Sequence, residues 1–199
     1  MLLVRQFINS VYQSNSWMLH KKEYPVAWLI DCGDYEPILD WLYKEQKTIG
    51  GIFLTHTHYD HIFGLHKLDE AFPGISIYTS EEGKKSLANS KWNFSHYHNV
   101  NFVFQKTNVI TIADKAQFEL FPGFDLEVIA TPGHDWSCIT FKAGNYLFTG
   151  DSYIPGLKVV TTFPKSNKQQ AAESLQKILA LTVNDTIICP GHGKMHIKK

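Results

Sequence analysis

Short apolar runs alternate with turn-forming clusters from the first residues onward. Leu2 to Ile8, Trp17 to His20 and Val26 to Ile30 read as strands, separated by the turn signals Ser14-Asn15-Ser16 and Glu23-Tyr24-Pro25. Between Glu36 and Gln46 the apolar positions Ile38, Leu39, Leu42 and Tyr43 recur as i, i+1, i+4, i+5, the stripe of an amphipathic helix. A strand over Ile52 to Leu54 follows, then a helix over Ile62 to Phe72, a strand over Ile75 to Thr79 and a short helix over Glu81 to Ala88. Further on the pattern is that of strands: Asn101 to Phe104, Val109 to Ile112, Gln117 to Leu120 and Leu126 to Ala130. Thr140 to Lys142 and Tyr146 to Thr149 flank Gly144-Asn145, a tight-hairpin signal. Gln169 to Leu181 carries Ala172, Leu175, Ile178, Leu179 and Ala180 as the apolar face of a second clear helix, and Thr186 to Cys189 reads as a closing strand. With no repeat or linker, this order predicts one α/β layered domain of mixed sheets over residues 1–199.

Composition narrows the class of partner. Hydrophobic residues make up 44% of the chain, enough for a packed core. Lysine plus arginine equals aspartate plus glutamate, and a formal net charge of zero lacks the footprint of a nucleic-acid binder. Arg5 is the sole arginine, which leaves lysines or backbone amides to hold any anion. Cys32, Cys138 and Cys189 are scattered singly, as in a reducing compartment. The N-terminal segment has no signal-peptide pattern, and no apolar run reaches the roughly 18 residues of a membrane span. The expectation is a cytoplasmic protein acting on a small-molecule substrate, away from membranes and nucleic acid.

The chemistry concentrates in Thr55-His56-Thr57-His58-Tyr59-Asp60-His61, directly after the apolar run Gly51 to Leu54. In an extended chain His56 and His58 share a face, and a helical turn starting at Tyr59 swings Asp60 and His61 onto the same pocket. Imidazole nitrogen and carboxylate oxygen together suit zinc, iron or manganese. Three more ligand-type residues close apolar strands after a glycine: His134 after Pro132-Gly133, Asp151 after Gly150, and His192 after Pro190-Gly191. Glycine permits the sharp turn that puts such a side chain at a strand tip.

His56-x-His58-x-Asp60-His61, then His134, Asp151 and His192, resembles the metallo-β-lactamase-fold hydrolase superfamily, and the match runs the length of the chain. The resemblance implies a four-layer αβ/βα sandwich of two mixed β-sheets flanked by helices, with two divalent metal ions in a cleft at one edge. By similarity His56, His58 and His134 hold the first ion, and Asp60, His61 and His192 the second. Asp151 bridges them, and Asp60 and Asp151 are the catalytic carboxylates. Zinc is the first choice, with iron and manganese also suited. A hydroxide between two such cations is nucleophilic at neutral pH and would attack an ester or thioester carbonyl. Asp31 is expected to orient a ligand histidine or to cap a turn.

Asp151 stands where one β-lactamase branch carries cysteine, and His58 where the flavodiiron branch carries glutamate. The pattern is most similar to small glyoxalase II-like thioesterases. It departs from glyoxalase II proper in ending seven residues after His192, with no helical glutathione-binding domain, and in carrying Phe63-Gly64 where many relatives have Gly-Gly. Three rival readings are a mono-iron sulfur dioxygenase acting on persulfides, a phosphodiesterase or RNA-processing nuclease, and a metal-binding scaffold without catalysis. Trp136, Tyr153 and Ile154 are candidate walls of the substrate cleft, each also readable as plain packing, and the aromatic stretch Trp92 to Tyr97 is a candidate lid. His96 and His98 lack the strand-tip setting and are read as non-ligands. Cys138 is read as an inert buried thiol.

Overall fold

Alternate side chains of one strand serve two different cores in this protein, which explains why its strands read as unbroken apolar runs. In β2 (Asn15–His20), Trp17 and Leu19 point into one core and Met18 into another. The same division holds in β3 (Val26–Ile30), where Ala27 and Leu29 face one side and Ile30 the other. Strands buried on both faces lose the polar alternation of a half-exposed sheet. The computed structural model describes residues 1–198.

The first sheet has the order β1-β2-β3-β4-β5-β6, with β1 (Leu3–Ile8), β4 (Thr48–Phe53), β5 (Ile77–Thr79) and β6 (Val109–Thr111) joining the two strands above. Its first three strands are antiparallel and its last three extend from β3 in parallel. The second sheet has the order β12-β11-β10-β9-β8-β7. It comprises β7 (Gln117–Phe121), β8 (Phe124–Ala130), β9 (Ile139–Ala143), β10 (Tyr146–Gly150), β11 (Ile187–Pro190) and β12 (His196–Ile197). Only β10 and β11 are parallel in it. Trp17, Ile30 and Phe53 of the first sheet meet Phe141, Phe148 and Leu126 of the second. Three helices, α1 (Tyr35–Lys44), α2 (Leu65–Ala71) and α3 (Glu81–Leu87), cover the outer face of the first sheet through Ile38, Leu42, Leu65, Leu68 and Leu87. The fourth, α4 (Lys168–Leu181), lies against the end of β8, where Ser174 Oγ donates to the Pro132 carbonyl.

Four expectations need correction. Asn101 to Phe104 forms no strand: Phe102 and Phe104 are buried among the helices, but the segment finds no partner strand, and Val109–Thr111 takes the place beside β5. The helix expected from Ile62 starts at Leu65, because residues 59–61 are taken up by a tight 3-10 turn. Helix α1 buries Trp41 with Ile38 and Leu42, and leaves Tyr43 88% exposed. In α4 the buried positions are Ala171, Ser174 and Ile178, while Leu179 is exposed. Small residues are required there because a Cβ on Gly133 would lie 2.3 Å from the Ala171 backbone, so strand tip and helix touch directly.

The chain's two ends are stitched together beside the strand tips. Asn15 Nδ2 donates to the carbonyls of Pro190 and Gly193, Asn15 N donates to Gly191, and Ser14 Oγ donates to the Asp60 carbonyl.

Candidate metal centre

The strands position the candidate ligands at one edge of the sandwich. Directly after β3, Asp31 adopts a left-handed backbone (φ 58°), a conformation Asp tolerates better than most residues. Its carboxylate accepts from Thr55 N and Thr55 Oγ1, both at 2.7 Å, and from His61 Nδ1 at 2.9 Å. One side chain thus ties the end of β4 to the 3-10 turn at Tyr59–His61. On the opposite sheet, Gly133 (φ 144°) and Gly150 (φ 49°) supply the turns that precede His134 and Asp151. At Gly191 a Cβ would sit 2.0 Å from Asp151 Oδ1, so only glycine lets β11 approach the centre.

All seven histidines and aspartates expected as ligands converge. His56, His58 and His134 form one group whose ligating atoms lie within 4.8 Å of one another, and Asp60, His61 and His192 form another. Between them sits Asp151. Its Oδ2 is 3.5 Å from His134 Nε2 and 3.4 Å from His192 Nε2, and its Oδ1 is 3.8 Å from His61 Nε2. Asp60 Oδ2 lies 3.4 Å from His61 Nε2 and 3.3 Å from His192 Nε2, and His58 Nδ1 lies 3.1 Å from His134 Nε2. Ligands about 2.0–2.1 Å from a shared tetrahedral ion are themselves roughly 3.3 Å apart. Asp31, His56 and His61 also fall within ligating distance of one another, but the Asp31 carboxylate is committed to Thr55 and to the outer nitrogen of His61.

Each imidazole is held from behind. His56 Nδ1 faces Thr55 Oγ1 at 3.1 Å, and His58 Nε2 faces Asp135 Oδ2 at 3.6 Å. His61 Nδ1 donates to Asp31, His134 Nδ1 to the Val160 carbonyl and His192 Nδ1 to the Tyr12 carbonyl. These outer partners orient the rings so that the other nitrogen of each points inward, where a cation would take it as a ligand. His56 Nε2, His61 Nε2 and Asp151 Oδ1 are buried with no hydrogen-bond partner. Buried polar atoms left without a partner and converging on one point are costly unless a cation binds among them, so the residues present fit a metal site.

Electrostatics divides the two groups. Burial, then the neighbouring His61 and His58, holds His56 well below the ordinary histidine value, and burial also lowers His134. In the other group burial would likewise lower His61, but the Asp60 charge and the hydrogen bond to Asp31 outweigh it and raise the value to about 9. For His192 burial is outweighed by hydrogen bonds to Asp151 and Asp60, and the value is about 10. Asp151 is pushed well below the carboxylate range: burial opposes this, and the His192 hydrogen bond with the charges of His61, His56 and His134 prevails.

Asp135 escaped the sequence reading. It is buried, accepts from Ser137 N and Ser137 Oγ, and directs its second oxygen at His58. Its adjacency to His134 was the available signal. Trp136 does not face the centre: its indole donates to Ser86 Oγ and packs edge-on against Trp92, 5.4 Å between centroids. Its cavity, about 660 Å³, contains none of the seven ligand candidates. Beside the centre, Ile154 rather than Tyr153 lines both a hollow of about 70 Å³ with His134 and Asp151 and another of about 300 Å³ with His192. From the aromatic stretch, Phe94 packs on His58 at 4.6 Å, whereas His98 packs on Tyr59 and Tyr12. All three cysteines are buried, and burial raises their thiols, so none is a ready nucleophile.

Known proteins share this arrangement. A protein of Streptococcus pyogenes serotype M6 named as a probable metallo-hydrolase is 28% identical over 97% of this chain and 84% of its own length. The crystal structure of the BLEG-1 B3 metallo-beta-lactamase superposes with a TM-score of 0.87 at 24% identity, covering 98% of this chain and 94% of that one. The structure of TTHA1623 in a di-iron-bound form gives 0.83 at 22% identity, covering 97% and 94%. Both structures share the fold of this chain, whose two six-stranded mixed sheets are flanked by helices. The description of the metallo-beta-lactamase superfamily matches residues 9–192, and the chain belongs to that superfamily of metallo-hydrolases.

Proposed function

We propose that this chain is a dinuclear metal-dependent hydrolase of esters or thioesters, built as one domain. The observation that carries the reading is Asp151, whose two oxygens face both ligand groups at once. His56, His58 and His134 would hold one divalent ion, and Asp60, His61 and His192 the other, with Asp151 shared. Bound there, such ions supply Lewis acidity and bring the pKa of a coordinated water near neutrality. Three nitrogen donors with an open position are the donor set of a catalytic zinc, which makes zinc the first choice. Iron is the alternative, supported by the di-iron form of TTHA1623.

The chain's own residues do the rest. Asp31, Thr55 and Asp135 orient the imidazoles. Asp60 engages His61 and His192 through Oδ2, which leaves Oδ1 as the oxygen to take a proton from the attacking water and return it to the leaving group. With a single arginine, substrate anions meet lysines, of which Lys158 and Lys194 line the two hollows beside the centre. No helix among the described residues is long and apolar enough to cross a membrane. Three buried unpaired cysteines favour a reducing compartment, and we place the protein in the cytoplasm.

Elemental analysis of protein purified without a chelating tag, followed by an ester, thioester and phosphodiester panel, tests the reading. The expected result is about two divalent ions per chain and hydrolysis of esters or thioesters. A single iron with oxygen uptake on a persulfide would replace it with the dioxygenase.

A further inference from the structure

The His58 and His134 side of the centre is walled by aromatic rings, and the wall is held in place by features with no other evident use. Phe94 packs tilted against His58 at 4.6 Å and against Phe163 at 5.3 Å, and Phe163 lies edge-on to both His58 and His134 at 5.9 Å. Phe94 adopts a left-handed backbone (φ 64°), a costly state for a bulky residue that persists only where its surroundings impose it. They do so here. Asn93 and Ser95 on either side are fully buried, with Asn93 Nδ2 donating to the carbonyls of Ser86 and Phe102, and Ser95 N donating back to Asn93 Oδ1.

Phe163 is bracketed in turn. Three residues before it, the Val160 carbonyl accepts from His134, and two residues after it the Lys165 ammonium lies 4.8 Å from the Trp92 ring and 4.4 Å from the Trp136 ring. Two residues further on, Asn167 N donates to the Gly133 carbonyl. The segment carrying Phe163 also exposes Leu157 (64%), Val160 (46%) and Phe163 itself (43%). Leu157 and Val160 line the hollow beside His134 and Asp151, so apolar surface is open to a substrate group there.

We infer that Phe94 and Phe163 determine specificity by receiving an apolar acyl group attached to the scissile carbonyl. Lys165 positions Phe163 through its grip on Trp92 and Trp136. The substrate class is then a medium-chain or aromatic acyl ester or thioester, not a small polar one. The inference rests on the hydrolase reading above and deepens it.

The test pairs rates with binding on the metal-loaded protein. Esters or thioesters sharing one leaving group are compared from acetyl through hexanoyl to benzoyl, and acetate is compared with hexanoate by calorimetry. The hexanoyl-over-acetyl ratio in kcat/KM, and the matching ratio in carboxylate affinity, should be about tenfold or more in the parent protein. Both ratios should collapse towards one in Phe163→Ala and Phe94→Ala, with metal content unchanged. Phe163→Leu should restore the hexanoyl preference but not the benzoyl one. Lys165→Met should weaken both ratios partially and speed hydrogen exchange across residues 157–167. Hydrolysis with flat ratios, or ratios that survive both alanine variants, overturns the wall and leaves the hydrolase standing. Carboxylate discrimination lost in the variants, without hydrolysis of any ester or thioester, supports the wall and overturns the hydrolase.

Discussion

The two halves of the centre are made from similar side chains and behave as opposites. His56, His58 and His134 bring three nitrogens together under an aromatic wall, and burial depresses His56 and His134. Asp60, His61 and His192 bring a carboxylate into the group, and the acidic neighbours lift both histidines to about 9 and about 10. His56 and His134 thus offer lone pairs at neutral pH. The second half keeps protons where a cation would go. Identical imidazoles are set to different tasks by what stands behind and beside them.

Five experiments would break or sharpen this contrast. The largest effect is expected from His58→Ala. Emptying the first half should lower turnover by about 10³-fold or more, and metal analysis should show the lost ion. Undiminished turnover would remove the first half from the chemistry. His192→Ala comes next: loss of the second ion alone, with turnover falling by about 10- to 100-fold, read by ion counting and initial rates. Asp135→Asn acts on the first half through His58 and should weaken its ion by about 10-fold, leaving the second ion's affinity as it was in a two-site titration.

The smallest effect concerns protons. His61 and His192 have folded values above the ordinary 6.5, so their stabilisation of the ion-free protein is fully present below about pH 6.5. It is lost as pH rises through about 9 and about 10. The melting temperature of chelator-treated protein should therefore fall by a few degrees from about pH 7 to about pH 10, and that of loaded protein should not. Calorimetry in two buffers of different ionisation enthalpy should also find proton release on filling the second half.

Much of the centre was legible because its ligands are written in clusters or behind a strand-ending glycine. His56, His58, Asp60 and His61 sit within six residues, and Gly133, Gly150 and Gly191 announce the rest. What stands behind the ligands was less legible. Asp135 matters only through His58, 77 positions earlier in the chain, and the Val160 and Tyr12 carbonyls belong to every residue and leave no mark in sequence. The helix faces failed for a related reason. Hydrophobicity favours Leu179 on α4, yet a helix touching a strand tip buries Ala171 and Ser174 because they are small. Trp136 invited a place in the cleft as an aromatic near a ligand, and its actual partners, Ser86, Trp92 and Lys165, are all far from it in sequence.

The stitching of Asn15 to the carbonyls of Pro190 and Gly193 spans 175 and 178 residues. That makes the centre a late event in the life of each new chain. Every candidate ligand except His192 precedes β11, so six of the seven can gather before that strand is in place. The seventh arrives with the strand that Asn15 and Trp17 receive, and contacts so distant along the chain form slowly because the intervening loop must close first. A metal ion captured before that moment meets an incomplete second half, and full loading waits until β11 has docked against Asn15 and Trp17.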